Sequence, residues 1–235
     1  KHKTMNKKLM KLYSFNWINL SNALTAIDLD NSMILKPTSP LLLKIADENN
    51  FINADIRLMV FGQETNSWYE GVNGYDIDDL MNEYNRFFGD GSNIKWRGQF
   101  KNGLNKFNKL LKDRNQTKNI RYIWNNIVKI GKSSGKGFPP EYIYRVEREH
   151  FSVIQDEIQI INPNYILFLT GPNYDKIIFD NFGELNFEPI APYTIKQMAK
   201  FQIGNITAIR TYHPNFLFRN NINEYFNTIL NEIKI

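Results

Sequence analysis

Four short apolar runs, each stopped by turn residues, constrain this chain more than any other feature. Ile56 to Phe61 (IRLMVF) stops at Gly62, Ile120 to Trp124 (IRYIW) at Asn125, Tyr165 to Leu169 (YILFL) at Thr170-Gly171, and Ile206 to Thr211 (ITAIRT) before Tyr212-His213-Pro214. Each run is continuous rather than alternating, which is the pattern of a strand buried on both faces. Between them, apolar residues recur at helical spacing. Ser39-Pro40 opens an expected helix over Leu41 to about Asn49. Asp76 caps another through Leu80, Tyr84 and Phe87, ended by Gly89. A third runs from about Trp96 to Leu111, a long one from about Arg145 through Ile161 to Pro163, and a last from Ile222 to Ile233. Strands alternating with helices predict an α/β fold on a mostly parallel sheet covered on both faces.

Composition narrows the chemistry. The chain has 235 residues, of which 42% are hydrophobic, enough for one ordinary α/β domain with a real core. With no cysteine there is no disulfide framework, no thiolate-bound zinc and no cysteine nucleophile. No apolar run is long enough to span a bilayer, and Lys11 and Asn16 interrupt any signal-peptide stretch, so a soluble, cytoplasmic protein is expected. The net charge of +5 is unevenly spread. Residues 1–11 hold five lysines and no acid, whereas residues 95–148 hold fourteen basic and three acidic residues interleaved with Trp96, Phe100, Phe107, Tyr122, Trp124 and Tyr144. Such a segment could present cations to phosphates. The alternative, that Lys101, Lys106, Lys109 and Lys112 only solvate a helix face, stays open at this point.

In α/β sheets ligands bind beyond the carboxyl ends of the strands. The first strand leads into Gly62-Gln63-Glu64-Thr65-Asn66-Ser67-Trp68. The second leads into Asn125-Asn126 and Lys129 to Gly137 (KIGKSSGKG), the third into Gly171-Pro172-Asn173, and the fourth into Tyr212-His213-Pro214-Asn215-Phe216-Leu217. Of three histidines, only His213 sits at a strand end. The lysine-glycine loop does not fit the Walker frame, and one usable histidine without thiols argues against zinc.

In this order the segments resemble the uracil-DNA glycosylase superfamily, which carries G-Q-D-P-Y-H after its first core strand, L-L-L-N after the second and H-P-S-P-L near the C-terminus. Gly62-Gln63-Glu64-Thr65-Asn66-Ser67, Tyr122-Ile123-Trp124-Asn125 and His213-Pro214-Asn215-Phe216-Leu217 stand at those places, and Ile166 to Tyr174 resembles the intervening strand and helix start. The resemblance covers roughly residues 55–235, within an expected domain over 51–235 that leaves 1–50 as a basic tail and helical extension. It implies a three-layer α/β/α sandwich around a four-stranded, mostly parallel sheet, acting as a monomer on DNA without cofactor or metal.

The resemblance also implies roles. Glu64, in place of the family's aspartate, would position the attacking water, and His213 would donate a hydrogen bond to the leaving base. Gln63, Asn66 and Asn125 would form the base pocket, with Asn125 reading the base edge. Leu217 would wedge into the helix where a nucleotide flips out. Apart from the resemblance, Lys129, Lys132 and Lys136, close after Asn125, are candidates for phosphate contact. Hydrolysis of an N-glycosidic bond asks for such groups, because a carboxylate steadies the oxocarbenium-like sugar and a fixed donor steadies the anionic base. The base must leave the duplex to be reached at all. Asn66 stands where the family has a thymine-excluding tyrosine, so Trp68 or Tyr69 would have to supply a wall. Three readings follow: a glycosylase removing uracil or a related damaged base, a non-catalytic nucleic-acid or base binder, and a hydrolase of free nucleosides or nucleotides.

Overall fold

The computed structural model describes residues 4–66, 68, 74–89 and 98–233. Six strands form one mixed sheet in the order β2-β1-β3-β6-β5-β4. The strands are β1 (Ile56–Asn66), β2 (Ile120–Lys132), β3 (Tyr165–Leu169), β4 (Glu188–Pro189), β5 (Met198–Ile203) and β6 (Ile206–Thr211). Strands β2, β1, β3 and β6 are mutually parallel, while β5 and β4 add antiparallel at one edge. The α/β class holds, but the sheet has six strands rather than the expected four. The extra pair arises at the two-residue turn Gly204-Asn205, where Gly204 takes φ +56°, a hairpin connection that pulls β5 back along β6.

The helices are α1 (Met5–Leu29), α2 (Glu48–Ile52), α3 (Ile77–Phe87), α4 (Gln99–Arg114), α5 (Glu141–His150), α6 (Ile154–Ile161), α7 (Asp175–Phe182), α8 (Pro214–Leu217) and α9 (Ile222–Glu232). Asp76 caps α3 as expected, its side chain accepting from Asp79 N while the Asp79 carboxylate accepts from Asp76 N. No helix forms over Leu41 to Ala46. Instead the chain from Lys36 to Leu41 lies along the outer edge of β2, with Thr38 N donating to Gly131 O and Leu41 N to Lys129 O, so it covers an edge that would otherwise be open, and Leu41, Leu42, Leu43 and Ile45 are buried. Leu9, Tyr13, Leu20 and Leu24 of α1 belong to the same core as the sheet. The predicted helix start near Trp96 lies outside the described residues. Among those described, no helix is long and apolar enough to cross a membrane.

The largest departure from expectation lies in β2, which does not stop at Trp124. Its register against β1 runs from Ile56↔Ile120 to Glu64↔Val128, then shifts to Asn66↔Lys132. Two extra residues on β2 make a bulge, which frees backbone groups from the ladder. The buried Glu147 carboxylate takes them up, accepting from Lys129 N at 3.0 Å and Ile130 N at 2.9 Å, while Thr38 Oγ1 accepts from Gly131 N at 2.9 Å. Gly131 is obligatory there, since a Cβ would lie 1.8 Å from Thr65 O.

The Lys129 side chain turns inward. Its Nζ donates to Asn125 Oδ1 at 3.0 Å and Glu157 Oε1 at 2.5 Å; Glu157 also accepts from Tyr13 OH at 2.6 Å and from Asn125 Nδ2 at 2.8 Å. Lys129, Asn125 and Glu157 are each 0% exposed. The expected long helix from Arg145 is broken at Phe151–Val153 into α5 and α6. Around a continuous helix Glu147 and Glu157 would point about 80° apart; the break lets both face β2.

A charge pair of this kind is costly to break, because removing one partner strands the other in the core. Lys129→Ala should therefore cost about 3–5 kcal/mol in chemical denaturation. Lys136→Ala, on an exposed residue, should stay within about 0.5 kcal/mol.

Candidate functional site

Register fixes which residues share the carboxyl rim of the sheet. Phe61 pairs with Phe168 and Phe168 with Arg210, so these three lie at one level across β1, β3 and β6. Beyond that level Glu64 lies near the carboxyl end of β1, while Gly171 and His213 each follow two residues after the ends of β3 and β6. Strand β3 lies between β1 and β6, so where the three strands pair the outer two are two strand spacings apart, roughly 10 Å. Gly171 turns the chain out of β3 at φ +78° and leaves that stretch of rim without a side chain.

Each wall has its own anchor. Gln63 Nε2 donates to Thr170 O at 2.7 Å, tying the end of β1 to the exit of β3. The Glu64 carboxylate accepts from Tyr174 OH, and Tyr174 ends the short 3-10 turn Pro172–Tyr174. On the other side Phe100, on α4, has its ring centroid 5.7 Å from that of His213 and lies against Gly62, where a Cβ would come within 3.2 Å of the ring. Gly103, one turn further along α4, packs so closely that a Cβ there would lie 2.4 Å from Cβ of Pro214. Helix α4 thus sets the place of the segment that begins with His213.

The state of His213 follows from its contacts. Its Nδ1 accepts from Asn215 N at 3.1 Å, so in the neutral ring the proton sits on Nε2, which is left as a donor. Burial pushes its pKa down from 6.5 to about 4, so the ring is uncharged at neutral pH. Tyr174 is held protonated by burial and by the Glu64 carboxylate, both of which raise its pKa. A carboxylate and a neutral imidazole N–H thus stand near the carboxyl ends of β1 and β6, groups suited to a substrate that develops positive charge at one end and negative charge at the other.

Not every expected residue reaches this rim. Asn125 pairs with Phe61, one layer below it, and both ends of its amide are spent in the core: Nδ2 on Glu157, Oδ1 on Lys129 Nζ and on Asn126 N. Asn125 cannot read a ligand there, and the buried Lys129 cannot touch a phosphate. Both were expected just past a strand end, and the continuation of β2 moves them inside. Leu217 is likewise 0% exposed and faces the core, whereas its neighbours Phe216 and Phe218 are 36% and 38% exposed. A wedge at Leu217 is thereby ruled out.

The remaining residues stand nearer the surface. Lys132 Nζ donates to Phe138 O at 3.2 Å, and Lys136 is exposed in the same turn. That turn comes round to the rim, since the Phe138 ring lies 6.2 Å from Tyr174. Asn66 is the last residue of β1, and its side chain lies outside the described residues, as does Tyr69. Trp68 is buried, 5.1 Å from Phe87 and 6.4 Å from Trp124.

Two residues overlooked in the sequence reading come forward. Tyr174 was visible at the exit of the third run, where strand-end reasoning already pointed. Asn126 pairs with Gly62, and its Oδ1, which accepts from Trp124 Nε1 at 3.1 Å, would lie 2.5 Å from a Cβ on that glycine. Its amide therefore lies beside Phe100 with the oxygen engaged, and the residue is 2% exposed.

No family model matches the sequence, and no curated protein matches it either.

The protonation state of His213 is directly measurable. Because its folded pKa is depressed, the unfolded chain binds this proton between pH 6.5 and about 4 while the fold does not. The stabilisation from keeping the ring neutral is thus full above pH 6.5 and is lost as pH falls toward 4. The His213 imidazole resonances should titrate with a midpoint near 4. His213→Asn, which keeps an acceptor at the helix cap, should lose less stability than the parent over that window. A midpoint near 6.5 would show an open, solvated ring.

Proposed function

We propose that this chain is a DNA glycosylase that hydrolyses the N-glycosidic bond of uracil or a related damaged base flipped out of DNA. One observation carries the reading: Glu64, near the carboxyl end of β1, and a neutral, Nε2-protonated His213, just past the end of β6, stand on strands that flank β3 in the sheet. The motif order described above supports the same conclusion.

In this mechanism the bond between the sugar C1′ and the base nitrogen breaks, and its electron pair goes to the base. His213 Nε2–H donates to the base oxygen on which that charge gathers. A neutral ring suits this task, because it stabilises the anion by hydrogen bonding without first having to take up a proton. Glu64 lies toward the sugar, where its charge steadies the oxocarbenium-like centre. The attacking water gives its oxygen to C1′ and its proton to the Glu64 carboxylate.

Asn126 takes over the role first given to Asn125. Its NH2 group would donate to a base carbonyl, which uracil offers where cytosine has an amino group. Phe216, exposed and packed at a tilt against Tyr212 with ring centroids 4.0 Å apart, replaces Leu217 as the apolar wedge. Lys132 and Lys136 remain the phosphate contacts on β2's side.

A non-catalytic binder is the second reading. It is favoured by the withdrawal of Asn125 and Lys129 into the core, which removes a base reader and a phosphate contact from the family pattern.

One assay separates them: labelled oligonucleotides carrying uracil, mismatched thymine, hypoxanthine or 5-hydroxymethyluracil, single- and double-stranded. The parent should excise at least one. Removing a transition-state donor costs about 10²–10³-fold, so His213→Ala, and likewise Glu64→Gln, should lower single-turnover excision on that scale. Salt-sensitive binding without excision of any substrate would establish the binder instead.

A further inference from the structure

Glutamate in place of aspartate raises a physical problem. The extra methylene adds a rotatable bond and moves the carboxylate by about an ångström, and displacement on that scale costs on the order of 10²-fold in rate. Something must hold the longer side chain. Among the described residues, Tyr174 is the one hydrogen-bond donor to Glu64, and its hydroxyl meets Oε2. Among the described residues none donates to the other carboxylate oxygen, Oε1.

Tyr174 is itself held on several sides. It is 8% exposed. Its backbone N donates to Gly171 O at 3.2 Å, which closes the turn. Its ring meets Phe138 edge to face at 6.2 Å. The next residue, Asp175, opens α7 and is gripped by Arg210, with Nε to Oδ1 at 2.8 Å and Nη2 to Oδ2 at 2.9 Å. Arg210 is 1% exposed, and its remaining donors go to the carbonyls of Lys196 at 2.8 Å and Ile195 at 2.9 Å. A two-pronged guanidinium–carboxylate contact fixes direction as well as distance. Arg210 also lies on β6, three residues before His213, so the strand that delivers His213 also anchors the turn that carries Tyr174.

We infer that Tyr174 is a positioning residue for Glu64, held in place by the Arg210–Asp175 clamp, and that it makes a glutamate serviceable where the superfamily pattern has an aspartate. This rests on the glycosylase reading. Tyr174 touches neither sugar nor base; it acts by fixing one oxygen of the Glu64 carboxylate so that the other faces the water.

The test is a double-mutant cycle in single-turnover excision on the parent's preferred oligonucleotide, with Tyr174→Phe and Glu64→Asp. Tyr174→Phe should lower kcat by about 10- to 100-fold with KM and the melting midpoint unchanged. In the Glu64→Asp background, where the shorter carboxylate no longer reaches the phenol, adding Tyr174→Phe should change kcat by less than about twofold.

Excision by Tyr174→Phe at the parent's rate would overturn the inference while leaving the glycosylase reading intact. An equal loss in both backgrounds would also overturn it, by showing that Tyr174 does not act through Glu64. A lowered melting midpoint, with kcat restored well below that midpoint, would reduce Tyr174 to a structural residue. A parent that excises nothing removes the glycosylase reading, and this inference falls with it.

Discussion

The buried Lys129–Glu157 pair is the contact on which the rest of this architecture leans. A lysine and a glutamate carried fully into a core must recover large desolvation costs, and only dense hydrogen bonding does so. Here Asn125, Tyr13 and the pair form one closed network, and Tyr13 OH in turn accepts from Leu43 N at 3.0 Å. Burial pulls the Lys129 pKa down while Glu157 opposes the shift. The network joins α1, the extended segment after it, β2 and α6. It therefore recruits the N-terminal helix into the core, although nothing in the family resemblance reaches that far upstream.

The same network governs the rim indirectly. By turning inward, Lys129 fixes where β2 bulges, and Glu147 then satisfies the amides that the bulge releases. Burial raises the Glu147 carboxyl to about 7, partly offset by those N–H donors. With β2 so anchored, Asn126 falls against Gly62 and Glu64 falls opposite Val128. From there the rim is assembled by close approaches that only small residues permit: Gly62 under Phe100 and Asn126, and Gly103 against Pro214. Side chains on three strands and one helix are thus set by backbone geometry before any substrate is considered.

Much of the fold was legible in the chain. The four parallel strands, the Asp76 cap and the C-terminal helix were readable because continuous apolar runs and capping residues act locally. Of the candidate site, His213 was legible as a residue just past a strand, whereas Gln63 and Glu64, expected beyond a stop at Gly62, lie within β1, which continues to Asn66. Asn125, Lys129 and Leu217 were misjudged for a common reason. Polar residues inside a strand look from the sequence like a strand's end, and a short helix does not announce which of Phe216, Leu217 and Phe218 turns inward. The β-branched Ile127, Val128 and Ile130 around Lys129 were the available sign that β2 continues.

What the sequence alone determined is therefore the kind of fold and the pair of groups at its rim, because hydrophobic runs and stop residues are short-range signals. What only the tertiary structure decided is which polar residues face in and which face out, and who holds whom. Asn125 and Lys129 were drawn into the core by Glu157, which lies 28 residues or more away along the chain. Tyr174 meets Glu64 across 110 residues. Such pairings depend on strand order and register, and a strand's own residues carry no local mark of the neighbour beside which they will lie.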